Sequence, residues 1–217
     1  MKLPVPKNEA KRIQVLWQYD ILDTVPEEVF DELASLAGLI CGAPIALITM
    51  VDENRQWFKS KVGVTLDETS RDISLCSHAI LQSGLFVIPD TTLDDRFKNN
   101  PLVTSGPKIR FYAGAPLVTP DGHALGTLCV LDKQPRHLTG DQMQALRVLA
   151  RHVMVQLELR RHANELATAR GDCKKTRAEL AAAQLEIARL RHSIASPRAP
   201  AKKRAAVKKI NLGRPRR

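Results

Sequence analysis

Three groups of side chains in this 217-residue chain have types and spacings that could do chemistry. The first is Cys76 with His78, a thiol and an imidazole two residues apart. A thiol that attacks or exchanges needs a second thiol or a base to complete the step. The other cysteines, Cys41, Cys129 and Cys173, are far away in sequence, and no Cys-x-x-Cys pair occurs. That pattern argues against a zinc knuckle and against a secreted disulfide framework, so the thiols read as reduced and mostly buried. The second group is Asp90, Asp94, Asp95, Arg96, Arg110 and Tyr112, with Thr127 as a further ligand-facing position. Arg110 and Tyr112 lie two apart, on one face if the segment is a strand. A guanidinium beside a phenol suits an anionic small molecule. An internal ion pair, Asp94 or Asp95 with Arg110, explains the same residues equally well. The third group is basic: Lys202, Lys203, Arg204, Lys208, Lys209, Arg214, Arg216 and Arg217. It could neutralise nucleic-acid phosphates without sequence preference, but has no aromatic residue for stacking on single strands. An acidic protein partner, a membrane surface or a solubilising role fits it as well.

That third group also explains the net charge of +10. Residues 195–217 hold nine Lys or Arg and no acid, which leaves 24 basic against 23 acidic groups in the rest. The body is near neutral, so the basic balance says nothing about what the folded part binds. The first residues contain no apolar signal-peptide stretch, and the longest nearly uncharged run, residues 36–51, is broken by Gly42 and Pro44. A soluble, cytoplasmic protein without metal or covalent cofactor is expected.

The elements that must position these residues centre on Ile109 to Asp132. Two β-rich runs flank Pro120-Asp121-Gly122, a hairpin signal in which Gly122 supplies a positive φ. With Asp121-Gly122 as a two-residue turn, Val118 faces Leu125, Gly114 faces Cys129 and Tyr112 faces Leu131. Neither run alternates cleanly between apolar and polar, so both faces should be covered. Gly114 and Gly126 mark close approach of another group, and Pro116 a bulge or unpaired edge.

Upstream, the spacing of Ile13, Leu16 and Trp17 predicts a helix over 8–19. Thr24, Pro26 and Glu27 read as a capping box opening a second helix, which buries Val29, Phe30, Leu33, Leu36, Ala37 and Ile40 and ends at Gly42. Residues 44–52 read as a central strand and 55–62 as its return. Residues 63–74 read as loop, 75–81 as a short helix, 85–88 as a buried strand, and 91–108 as a long, functional loop. Thr139 and Gln142 form a second capping box that opens the last helix. In that helix Leu159, Leu166, Cys173, Leu180, Ile187 and Ile194 recur every seven residues. Glu165, Asp172 and Glu186 would meet Arg170, Arg177 and Arg191 across a parallel dimer seam, and Glu179 would meet Gln184. A modest parallel coiled-coil homodimer is expected, against the alternative of one long solvated helix.

The words Leu75-Cys-Ser-His-Ala-Ile80, Val87-Ile-Pro-Asp90, Asp95-Arg-Phe97, Ile109 to Leu117 and Leu125-Gly-Thr-Leu-Cys-Val-Leu-Asp132 give the chain a family likeness. It resembles the GAF domains of bacterial sensor histidine kinases and diguanylate cyclases. The resemblance implies an α+β fold, with a central antiparallel sheet of five or six strands and helices on both faces. A long C-terminal helix and a disordered basic tail would follow. The implied organisation is an extension over 1–7, a GAF domain over 8–158, a coiled-coil helix over 159–194 and the tail over 195–217. It also implies a ligand pocket under the short helix and long loop, with Cys76, His78, Asp90, Asp94, Arg96, Arg110, Tyr112 and Thr127 as candidate lining. The ligand stays unidentified.

Function is then expected to be non-enzymatic: small-molecule sensing, passed through a dimeric C-terminal helix to a separate partner. No kinase or cyclase output word follows the domain. The alternative is a nucleic-acid-associated regulator that uses the tail. An enzyme resembling free-methionine-sulfoxide reductases is weaker, because 91–108 carries no cysteine and Cys129 reads as core. His192-Ser-Ile-Ala-Ser-Pro197 resembles a histidine-kinase phosphoacceptor box without its acid, and Ser-Pro is also an ordinary helix stop.

Overall fold

The computed structural model of the protein describes residues 5–195. The expected basic tail and its eight phosphate-binding candidates lie outside the described residues. Helices α1 (Glu9–Gln18) and α2 (Glu28–Cys41) precede strands β1 (Ile45–Val51), β2 (Arg55–Val62) and β3 (Glu68–Ser70). A 3-10 turn and helix α3 (Cys76–Ala79) lead to β4 (Phe86–Ile88) and then α4 (Pro101–Thr104). The hairpin β5 (Phe111–Val118) and β6 (Ala124–Asp132) feeds α5 (Gly140–Ala195). The six strands form one antiparallel sheet in the order β3-β2-β1-β6-β5-β4.

Each strand sends alternate residues to opposite sides, and each side has its own core. Ala46, Ile48 and Met50 of β1 join Leu128 and Val130 of β6 on the side that α1, α2 and α5 cover. Ile45, Leu47 and Val51 join Tyr112, Cys129 and Leu131 on the side that α3 and the long loop cover through Phe97, Val103 and Ile109. Both faces of the hairpin are therefore buried, as its unbroken apolar runs require.

The hairpin register shows how local chemistry is reconciled with the sheet. Gly114 pairs with Cys129 and Tyr112 with Leu131, as expected, but Val118 pairs with Ala124 rather than Leu125. The turn is the reason. Thr119 N–H donates to His123 O and Gly122 N–H to Thr119 O, which closes a three-residue loop with Gly122 at φ 83°. The loop consumes one residue more than a two-residue turn, and a register shift between Leu117 and Val118 restores the alignment.

Three local expectations are corrected. Helix α2 starts at Glu28 without a side-chain cap. The Thr24 hydroxyl instead donates to Ile21 O, and the Glu27 carboxylate is taken by Lys59 and Arg160. Leu36 and Ile40 are exposed, because α2 seats on the sheet through a stripe of Phe30, Ala34, Ala37, Gly38 and Cys41, whose small members allow close approach. The stretch read as loop over 63–74 contains β3. The box at the start of α5 forms reciprocally, Thr139 N–H to Gln142 Oε1 at 3.0 Å and Gln142 N–H to Thr139 Oγ1 at 3.2 Å.

Contacts divide the chain into two compact units, Met1–Leu166 and Ala167–Arg217. The described part of the second is the continuation of α5, in which Leu180, Ile187 and Ile194 are exposed in the single chain. No helix among the described residues is long and apolar enough to cross a membrane.

Candidate functional site

The loop-covered face of the sheet holds a cavity of about 60 Å³. Its walls come from Ile45 and Leu47 of β1, Phe58 of β2, Leu131 of β6 and the loop residues Val64 and Ile109. Leu66 also lines it and is 57% exposed, so the cavity reaches solvent. The polar groups it meets are few: Gln56, Thr69, the Tyr112 phenol and the thiols of Cys76 and Cys129. Among the described residues no charged side chain lines it. A space of this size holds about two waters at ~30 Å³ each.

The thiol end of the cavity is a buried polar cluster. Cys76 opens α3, and its Sγ accepts the Tyr112 hydroxyl at 3.2 Å and the Thr127 hydroxyl at 3.1 Å. Thr127 has one proton, so the Thr49 hydroxyl at 3.1 Å donates to it in turn. Cys129 Sγ lies 3.8 Å from Cys76 Sγ. Burial pushes the Cys76 thiol up, but the bonds from Cys129, Thr127, Tyr112 and Thr49 hold it below its ordinary value. Burial and the neighbouring Cys76 push Cys129 well above its own. Within the pair Cys76 is the more acidic sulfur, because the hydroxyl donors converge on it. Tyr112 is raised by burial and by the two thiols, so it remains a proton donor.

Backbone geometry makes room for the cluster. A Cβ on Gly114 would stand 2.2 Å from the Tyr112 hydroxyl, so the bare backbone there is where the phenol lies. A Cβ on Gly126 would stand 1.8 Å from the Thr49 carbonyl oxygen, where β1 and β6 meet. Both glycines serve the close approach that their positions in the hairpin suggested.

The charged candidates do not join this site. Arg110 precedes β5, and its Nη1 donates to Val103 O at 2.9 Å and Ile109 O at 3.1 Å, closing the long loop. Among the described residues it forms no ion pair with Asp94 or Asp95, which corrects the internal-pair reading. Each acid takes a near neighbour instead. Asp94 grips Arg96 through two oxygens at 2.9 and 2.6 Å, and Asp95 pairs with Lys98 at 2.6 Å. Asp90 accepts the Thr92 N–H and hydroxyl. Arg96 lies over the rings of Phe86 and Phe97. Asp90, Asp94, Asp95 and Arg96 border a separate open depression of about 710 Å³ with His137. His78 meets Phe97 edge-on at 4.7 Å, and burial pulls its imidazole below the ordinary value. His192 is exposed near the end of α5.

Of the candidates, the structure thus brings together Cys76, Tyr112 and Thr127, and adds Thr49, Gln56, Thr69 and Cys129. The hairpin pairing of Cys129 with Gly114 was the one available signal, since it sets Cys129 close to Tyr112. Thr69 sits on a three-residue edge strand with no apolar alternation to reveal it.

Comparison with known proteins bears on the whole domain. The family model described as "GAF domain" matches residues 25–157. A cyclic di-GMP phosphodiesterase from Pseudomonas aeruginosa is 42% identical over 162 residues, which cover 74% of this chain and 28% of that protein. The chain therefore spans little more than a quarter of that curated relative. Two solved structures share the fold. The GAF domain of a phosphoenolpyruvate-protein phosphotransferase from Coxiella burnetii superposes with a TM-score of 0.55 at 14% identity, over 73% of this chain and 99% of that one. Its counterpart from Acinetobacter gives 0.53 at 14% identity, over 74% and 97%. At such identity the likeness is one of fold alone.

Proposed function

The chain belongs to the GAF domain family, and on that premise we propose that it is a non-enzymatic signal-sensing module. A small ligand binds in the loop-face cavity, and its occupancy is passed through β6 and α5 to a separate partner. The relative's name points to cyclic di-GMP signalling as the setting, with the shared stretch as regulatory input. One observation carries this reading. Strand β6 supplies Cys129 and Leu131 to the cavity wall, ends at Asp132, and runs directly on to Thr139, which caps α5. A change in cavity filling that shifts β6 therefore reaches the root of the long helix through bonded chain.

The cavity chemistry narrows the ligand. Its walls are apolar, its polar groups are hydroxyls, an amide and thiols, and its volume is far below the ~300 Å³ at which drug-sized sites begin. A compact, uncharged molecule fits, and an anionic nucleotide does not. The seven-residue repeat of α5 supports a parallel homodimer as the output form, with opposite charges meeting at Glu165–Arg170, Asp172–Arg177 and Glu186–Arg191 across the seam. Native mass spectrometry of the protein as purified is expected to show a dimer and, when loaded, a small neutral adduct per chain. Monomer alone at micromolar concentration, checked by light scattering, overturns the dimeric output. Tight binding of a cyclic nucleotide overturns the ligand class.

A further inference from the structure

We infer that Cys76 and Cys129 form an oxidisable dithiol, a modification site that hydrogen peroxide reaches through the adjoining cavity and converts to a disulfide. Both cysteines are unpaired and buried, and their sulfurs lie 3.8 Å apart. A disulfide needs about 2.05 Å. Closing that gap takes side-chain rotation or a shift of the four-residue helix that carries Cys76 against the central strand that carries Cys129. The bond would tie α3 to β6 across 53 residues of chain.

Burial alone would protect such a pair. Here both cysteines line the cavity that Leu66 borders at its exposed end, and Cys76, at 2% exposure against 0% for Cys129, is the sulfur that a small oxidant meets first. Its volume suits a molecule of two oxygen atoms and excludes a bulky oxidant such as a glutathione disulfide. A docking group is present as well. Thr69 lines the cavity, and its Oγ1 is buried with no hydrogen-bond partner in the protein. That hydroxyl can hold one peroxide oxygen. Tyr112 and Thr127 aim their protons at Cys76, which stabilises negative charge on the sulfur that must attack.

The chemistry balances. Cys76 sulfur attacks one oxygen, the O–O bond breaks, and the leaving hydroxide departs as water with the proton that Cys76 gives up. Cys76 is then a sulfenic acid. Cys129 sulfur attacks Cys76 sulfur, the S–O bond breaks, and a second water leaves with the Cys129 proton. Two thiols and one peroxide yield one disulfide and two waters. The new bond draws Cys76 away from Tyr112 and Thr127, so oxidation alters the wall that a sensed ligand would meet. The dithiol stands whether or not the cavity also serves such a ligand.

The test uses the full chain with Cys173→Ser, which removes the exposed thiol. The reduced protein is exposed to hydrogen peroxide, quenched in acid, unfolded, alkylated and digested. The expected product is a linked pair of peptides carrying Cys76 and Cys129, two hydrogens lighter than their sum, with Cys41 fully alkylated. Recovery of both Cys76 and Cys129 as alkylated thiols, under exposure that oxidises free cysteine in the same tube, overturns the inference. In Cys129→Ser the linked pair is lost and Cys76 is trapped by dimedone as the sulfenic acid. Absence of that adduct overturns the order of steps. Leu66→Trp narrows the mouth and should slow disulfide formation several-fold, and an unchanged rate overturns the cavity route. A sensory role that failed would leave each of these outcomes intact.

Discussion

The two faces of the sheet solve the same burial problem in opposite ways. On the helix face, α1, α2 and α5 close over Ile48, Phe111, Leu117 and Leu128, and α5 contributes Val153, all at or near zero exposure. Its buried charged groups act as staples between elements. Lys59 is buried and gives its ammonium to Glu27 at 2.6 Å, Thr24 and Val25 O, while Arg160 of α5 reaches the same Glu27 oxygen at 3.0 Å. Arg12 and Arg71, both buried, meet on Glu9. The loop face is covered instead by short helices and irregular chain, and leaves a cavity with thiols and hydroxyls at its wall. The difference teaches where each job lies. Continuous helices can fill space, whereas loops over Tyr112 and Cys76 leave room for a guest.

The strongest way to break that contrast is to cut into each core. Phe30 is 1% exposed and lies beneath the Lys59 ammonium. Phe30→Ala should cost about 3–5 kcal/mol, because rigid helices cannot collapse into the gap. Leu131→Ala, beside a space that already exists, should cost about 2 kcal/mol, at the low end for such a deletion. Urea unfolding of the two variants measures both, and equal losses would remove the distinction between the faces.

The Glu27 staple gives the next effect. Burial pushes the Glu27 carboxyl up, but Lys59 and Arg160 outweigh it and hold it below its ordinary value. A depressed carboxyl contributes stability above its unfolded pKa, and that contribution is lost as pH falls through the folded one. Glu27→Gln should therefore cost about 1–3 kcal/mol at neutral pH, since Lys59 keeps its bonds to Thr24 and Val25. The gap from the parent should close as pH drops through and below the usual carboxylate range. A gap that stays constant down to acid would mean that Glu27 acts by packing rather than by charge.

Most of this architecture is legible in the sequence, for physical reasons that also mark its limits. The inner hairpin register, Gly114 with Cys129 and Tyr112 with Leu131, follows from two apolar runs about a turn, although the turn is one residue longer than read, and the Thr139 box follows from residues three apart. Local spacing carries both. The Thr24 box fails because its members find distant partners: Lys59 and Arg160 claim Glu27. Strand β3 hides because an edge strand of Glu68, Thr69 and Ser70 buries little. At the site, the same long-range logic takes the Arg110 guanidinium to Val103 O rather than to an aspartate, and joins Cys76 to Cys129. No spacing rule links residues 53 apart, and Cys129 looked like core because it is core. Its meaning came only from the thiol packed against it.

The finest test adds one methylene to each face. Val153 on α5 is fully buried in the closed core, and Val64 is partly buried at the cavity wall. Val153→Ile inserts a carbon where no space exists, so it should destabilise by about 1 kcal/mol, the low end for overpacking. Val64→Ile can extend into the cavity and bury the same carbon against Leu47 and Phe58, which should stabilise by up to about 0.8 kcal/mol. The two substitutions are chemically identical, so opposite signs in thermal unfolding isolate the packing of the two faces. If Val64→Ile also lowers the midpoint, the cavity wall is as tightly packed as the helix face. If it raises the midpoint and also slows peroxide-driven loss of the Cys76 and Cys129 thiols, stability and access will have been shown to compete for the same space.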